Sequence, residues 1–223
     1  IDDMIRERLG KLSRSERDFL VTAAVLGGEF DARSPVFRGA ERSVPVLVRA
    51  GFIRPKDERY AFANPLIRDL LYAGAVPDVK RELHRACAGY FETARNEEKA
   101  AEHYLAAGIE NTRVLELLIG ASGKSRARGA YSRSAEFLER ALGIARTLKR
   151  YPLSGFRAIY EGLIDSLFLA ERYGRVHDLA PAGEKIFLRR RRLPADPRLG
   201  AFYSRLIQSL LHLGKYREAL SAA

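Results

Sequence analysis

The run Tyr60-Ala61-Phe62-Ala63-Asn64-Pro65-Leu66-Ile67-Arg68-Asp69-Leu70-Leu71-Tyr72 switches from strand period to helix period within two residues, and this constrains the fold most. Asn64 is a residue type that caps exposed helical amides. Pro65 fits the first turn, where a missing N–H costs nothing. Just upstream, Phe52-Ile53-Arg54-Pro55 and Arg59-Tyr60-Ala61-Phe62 flank the polar Lys56-Asp57-Glu58, which predicts a hairpin with its tip at 56–58. A strand must therefore run almost directly into a helix.

Before that hairpin the pattern is helical. Ser13 with Glu16 three residues on predicts a capped helix start, and Phe19, Leu20, Ala23, Ala24 and Leu26 recur at helical spacing until Gly27-Gly28. A second, short helix is expected from about Arg42 to Ala50, closed by Gly51. Helices followed by a small hairpin outline a winged helix over residues 1–75.

After Phe62 no further strand is needed. Helices are predicted from Pro65 to Tyr72, Pro77 to Ala94 and Glu97 to Ala107, with 76–110 as a helical connector. Gly129-Ala130-Tyr131, Gly174-Arg175-Val176 and Gly214-Lys215-Tyr216 then recur at separations of 45 and 40 residues. Glycine-centred turns between apolar, small-residue helices predict tetratricopeptide-like helix pairs over 111–223, with a period longer than the usual unit of about 34 residues. Pro194-Ala195-Asp196-Pro197 marks an extended loop in that stretch. The expected fold class is mainly α: a winged helix followed by an α-solenoid.

The formal net charge of +11 raises the question of nucleic acid. Residues 1–75 hold 13 basic and 11 acidic side chains, whereas residues 151–223 hold 12 and 7, much of that excess being Arg189-Arg190-Arg191-Arg192. The surplus grows away from the module whose outline suggests DNA reading. The short helix at 42–50 also offers two arginines and almost no side chain able to read a base edge, which argues against direct DNA binding by residues 1–75. No run of eighteen apolar residues exists, so no membrane partner is expected. The single cysteine, Cys87, suits a reducing, cytoplasmic setting. The chain starts at Ile1 and stops in a helical pattern, so a piece of a longer protein is expected.

An ordered series of short segments carries a family resemblance. It comprises Leu12-Ser13-Arg14-Ser15-Glu16-Arg17, Ala23-Ala24-Val25-Leu26-Gly27-Gly28-Glu29-Phe30, Leu47-Val48-Arg49-Ala50-Gly51-Phe52-Ile53, Phe62 with Leu66-Ile67-Arg68, and Tyr72 and Pro77. Arg81-Glu82-Leu83-His84-Arg85, Ala101-Glu102-His103-Tyr104-Leu105-Ala106-Ala107-Gly108 and Arg128-Gly129-Ala130-Tyr131 complete it. Residues from about Leu9 to Ala145 resemble the region behind the ATPase core of STAND-type signalling proteins. These include large LuxR-type, maltose-activator-like transcriptional regulators and ATPase modules attached to cyclases or kinases.

The resemblance implies an ATP-binding domain N-terminal to this stretch, packed on the winged helix, with the repeats sensing a protein or small-molecule inducer. At Asn64 the family commonly has histidine, which in related ATPases touches the nucleotide phosphate. Asparagine cannot become cationic, so Asn64 is a cofactor-contact candidate whose simpler role is helix capping.

Other candidate chemistry has plainer readings. Gly120-Ala121-Ser122-Gly123-Lys124-Ser125 has two residues, not four, before its Gly-Lys-Ser, and helical sequence surrounds it, so no phosphate loop is expected. Cys87 follows His84 by three residues, but Leu83, Cys87, Tyr90 and Phe91 form an apolar stripe that predicts packing. His84, His103, His177 and His212 lack metal-ligand spacing. Arg189–Arg192 is a candidate interaction run, or the solvated end of a helix. The expectation is a non-catalytic regulatory and protein-interaction region, with no cofactor or metal of its own. The alternatives are a nucleic-acid-binding module using the basic C-terminal half, or the regulatory part of a cyclase or kinase.

Overall fold

The computed structural model describes residues 2–187 and 197–222. They are mainly helical, with one small three-stranded sheet, and divide into two compact units, Ile1–Ile109 and Glu110–Ala223.

The first unit opens with α1 (Asp2–Gly10) and α2 (Arg14–Leu26). Ser13 caps α2 through a reciprocal box: its Oγ accepts from the Glu16 amide at 3.3 Å, and Glu16 Oε2 accepts from the Ser13 amide at 2.7 Å. Strand β1 (Glu29–Phe30), two 3-10 turns (Pro35–Phe37 and Ala40–Ser43), α3 (Val44–Arg49), β2 (Ile53–Lys56) and β3 (Arg59–Phe62) follow. The strand order is β1-β3-β2, all antiparallel, with Ile53 opposite Phe62 and Phe30 opposite Tyr60. The hairpin stands where the sequence puts it. The two-residue β1 and the 3-10 entry to α3 were not anticipated, because neither is long enough to show a period.

That small strand centres the core. It holds Phe30, fully buried, in ring contact with Phe19, Phe37 and Phe62 at centroid distances of 5.9, 5.6 and 5.9 Å. Phe19 stacks on Phe37 at 4.3 Å. The chain then enters α4 (Pro65–Gly74), α5 (Pro77–Thr93) and α6 (Glu97–Ala106). Asn64 Oδ1 accepts from the Leu66 amide at 2.9 Å, the cap that the Asn-Pro pair predicts. Residues 76–110, read from sequence as a connector, hold α5 and α6, and both helices belong to the first unit, which ends at Ile109.

The second unit contains α7 (Thr112–Ala127), α8 (Tyr131–Thr147), α9 (Leu153–Leu169), α10 (Tyr173–Phe187), α11 (Pro197–His212) and α12 (Tyr216–Ala222). Each packs on the next in sequence, and α9 also packs on α11. Small residues set the spacing. A methyl group at Gly183 on α10 would lie 2.7 Å from the Phe202 ring on α11, closer than any unstrained contact. Gly129 and Gly214 do take left-handed turns, with φ of 75° and 71°. Gly174 does not: it lies inside α10, and the left-handed residue of that turn is Glu171, with φ of 58°. Residues 194–196 of the anticipated loop lie outside the described residues.

Candidate interaction surfaces

On the first unit, α3 and the β2–β3 hairpin enclose a cleft of about 580 Å³. Val44, Pro45 and Pro55 supply apolar lining, and Glu41, Asp57 and Glu58 stand around it. Those three carboxylates make no ion pair among the described residues. The cationic groups beside them are engaged. Arg33 pairs with Asp31 at 3.1 Å, and the Arg59 guanidinium donates to the Glu29 carbonyl at 3.1 Å. The Arg33 guanidinium holds the Asp31 carboxyl below its ordinary range, and the Lys56 ammonium does the same for Glu29. An incoming phosphate would meet carboxylates here, which opposes the backbone attraction on which nucleic-acid affinity rests.

The second unit is built differently. Asp165 on α9 accepts from Arg126 on α7 at 2.9 Å and from Arg205 on α11 at 3.0 Å. Arg205 also lies 4.7 Å over the Phe168 ring. On the intervening helices, Arg175 of α10 donates to Glu139 of α8 at 2.9 Å. His177 of α10 meets Glu218 of α12 at 2.8 Å. The His177 ring, with Lys215 next, keeps the Glu218 carboxyl below its usual range. Odd-numbered helices are thus tied to odd, and even to even. The tied residues stand 36 to 41 positions apart in sequence, close to the spacing of the glycine turns. Sequence-adjacent helices share polar contacts as well: Ser134 on α8 bonds Ser166 on α9 at 3.0 Å, and Arg146 on α8 donates to the Tyr160 hydroxyl on α9 at 2.9 Å.

Charge separates the units as well. Residues 110–223 hold 21 basic and 11 acidic side chains; residues 1–109 hold 18 and 17. Leaving out residues 188–196, which include Arg189, Arg190, Arg191 and Arg192 and lie outside the described residues, the second unit still has 17 basic against 10 acidic. Arg140, Lys149, Arg150 and Arg172 make no ion pair among the described residues.

The other residues singled out from sequence sit as follows. Asn64 is exposed, its carbonyl oxygen committed to α4, so its amide nitrogen is what remains for any further partner. Cys87 is fully buried and burial pushes its thiol up to about 12, far from thiolate character at neutral pH. Gly120–Ser125 lies inside α7, with Ser122 and Ser125 buried, so its amides serve the helix rather than a phosphate. His84 turns not to Cys87 but to His103, with 2.8 Å between the two Nδ1 atoms. Two nitrogens on one tetrahedral zinc stand about 3.3 Å apart, so this spacing is that of a hydrogen bond. Sequence reading missed the pair because 19 residues separate its members.

No protein-family model matches this chain, and no curated protein matches it significantly. No helix among the described residues is long and apolar enough to cross a membrane.

Proposed function

We propose that this chain is a non-catalytic regulatory and protein-interaction region of a STAND-type, ATP-dependent signalling protein, of the kind that controls transcription. In this reading residues 1–75 form a winged helix that packs on a nucleotide-binding domain, and the helices from residue 111 form a solenoid that senses a protein or small-molecule inducer. ATP belongs to the neighbouring domain. Inducer captured by the repeats would shift the equilibrium between closed and open forms.

The cleft between α3 and the hairpin carries this reading. In a DNA-reading module those elements would flank the duplex; here they surround apolar lining with three carboxylates that make no ion pair among the described residues, beside Arg33 and Arg59, which are engaged within the unit. Such a surface suits a protein neighbour. The ties at 36 to 41 residues support the solenoid, since stacked helix pairs contact only their neighbours and repeat the same link. A basic second unit favours one rival: a nucleic-acid-binding module acting through residues 110–223.

Two measurements decide between them. The reading frame upstream is expected to encode a Walker motif. The nucleotide-binding domain so encoded should release a fluorescent ATP analogue several-fold more slowly when joined to this chain than alone. Absence of that domain, or unchanged release, defeats the proposal. Tight binding of the chain to duplex DNA or RNA at physiological salt, weakening steeply as salt rises, would put the rival in its place.

A further inference from the structure

Another cavity of the first unit, of about 410 Å³, lies among α4, α5, α6 and the turn that ends α2. Its size falls within the range of about 300–1,000 Å³ common to small-molecule sites. Arg68 of α4 and Lys99 of α6 line it, together with His84 of α5 and His103 of α6. Both histidines are buried and meet Nδ1 to Nδ1 at 2.8 Å, and His84 Nε2 lies 2.9 Å from the Tyr72 hydroxyl. Gly27 and Gly28 add bare backbone: a methyl group built on either would meet nothing within 4 Å. The Gly28 amide makes no backbone hydrogen bond among the described residues, so it stays available to a ligand.

The cations here are not neutralised as those of the α3–hairpin cleft are. Lys99 Nζ lies 4.9 Å over the Phe91 ring, and Lys80 Nζ lies 5.0 Å over the Tyr72 ring. Neither lysine makes an ion pair among the described residues. A ring face attracts a cation but cancels none of its charge. Arg68 Nε donates to the Ala24 carbonyl at 3.4 Å, and the Asp69 carboxylate stands 3.9 Å from its Nη1, beyond a hydrogen bond. Two negative contributions oppose these three cations. Glu102 lines the cavity, and the carbonyl end of α2 counts as about half a charge, which leaves an excess of roughly 1.5 positive charges. Glu29, within reach of the field of Lys99, is taken by Lys56. The histidines feel the same field. Burial first, then Lys80, holds His84 below its ordinary value; burial, then His84 and Lys99, pushes His103 down to about 4.

An apolar ligand would leave these donors unmet and a cation would be repelled, whereas an oxyanion satisfies them. We propose that this cavity binds a small molecule through a phosphate- or sulfate-type oxyanion, held by Arg68, Lys99 and the Gly28 amide. Arg68 offers a planar fork matched to such a group, and Lys99 a compact charge. The volume leaves room for the rest of a small ligand. Negative charge beside the histidines stabilises their cationic forms, so binding and protonation help each other. The groups facing the rings are Arg68 and Tyr72 from α4, Lys80 from α5, and Lys99 and Glu102 from α6. The end of α2 and the turn Pro35–Phe37, packed on α5, bring no titratable side chain. Affinity should therefore be flat while both rings are neutral, and should rise as pH falls below 6.5, the ordinary value from which His84 is displaced downward.

Sulfate is the probe, because it stays a dianion from pH 7.5 to pH 5.5 and any pH dependence then belongs to the protein. The full chain is titrated with sulfate in place of chloride at constant ionic strength, followed by nitrogen-15 NMR of the backbone amides and histidine rings. Saturable shifts are expected at Gly28, Lys99, His84 and His103, with affinity rising about threefold or more from pH 7.5 to pH 5.5. Lys99→Gln should weaken binding about fivefold or more. Arg140→Gln, which removes a cation from the second unit, should leave it unchanged. Acetate, with a single charge, should bind several-fold more weakly than sulfate. Shifts that never saturate or that centre on residues 110–223, unchanged affinity in Lys99→Gln, equal binding of acetate, or an affinity indifferent to pH would each overturn the proposal. Should Lys99→Gln fail to fold, the map of shifts and their pH dependence in the natural chain decide alone.

Discussion

The two units are held together in contrasting ways. In the first, one buried ring, Phe30, touches Phe19, Phe37 and Phe62, and charge is nearly balanced. Among the described residues of the second, ring contacts are spread over separate pairs, such as Phe187 with Phe202 and Tyr173 with His212. Helix packs on neighbouring helix through small residues, and polar ties repeat at similar intervals. A hub concentrates stability, whereas a chain of neighbours spreads it. Local damage should therefore unfold the first unit as a whole and loosen the second one contact at a time.

The largest effect is expected from Phe30→Ala. Emptying that site removes a fully buried ring and leaves its four aromatic neighbours, Phe19, Phe37, Tyr60 and Phe62, facing a void, which costs about 3–5 kcal/mol. Hydrogen exchange should show protection lost across α2, the sheet and α4 together, while α7 to α9 keep theirs. Loss confined to β1 and its neighbours would mean that Phe30 is no hub.

Gly183→Ala probes the other unit. The added methyl meets the Phe202 ring at 2.7 Å, and the crowding should cost roughly 1–3 kcal/mol. Exchange should rise in α10 and α11 while α7 and α8 stay as they were. If all six helices lose protection equally, the second unit is as cooperative as the first and the contrast fails.

Legibility in the sequence follows the same divide. The hairpin and the Asn64 cap were readable because they rest on residues within nine positions of one another. So were the turns at Gly129 and Gly214. Gly174 misled, since Glu171 takes the left-handed position although its side chain disfavours it. The His84–His103 pair was hidden by its 19-residue separation and by an apolar stripe that pointed His84 toward Cys87. Arg126, Asp165 and Arg205 left a fainter trace. Their spacings of 39 and 40 residues track the glycine turns, and aligning charges on that period would have found them.

A smaller effect is expected where the hub joins α4. Asn64→Ala removes the acceptor for the Leu66 amide and should cost about 1 kcal/mol, read as a lower denaturant midpoint with an unchanged slope. Asn64→Asp, which keeps the acceptor, should restore it. A loss not recovered by aspartate would point to the amide nitrogen, the part of this side chain that the cap does not use.

The finest test concerns the tie at Asp165. Its two arginines are part-exposed, at 44% for Arg126 and 34% for Arg205, so water can solvate either cation once the carboxylate is gone. Asp165→Asn should therefore cost no more than about 1 kcal/mol. A double-mutant cycle with Arg126→Gln isolates the link between α7 and α9 from the packing around it. The coupling should be a few tenths of a kcal/mol and should shrink with added salt, because screening acts on part-exposed pairs. A cycle with Arg205→Gln should give a somewhat larger value, since that cation is less exposed and also rests on Phe168. Zero coupling in both would mean that the helices stack by apolar contact alone, with the recurring charges as passengers; coupling in both would make the link a repeated part of how each helix pair holds the next.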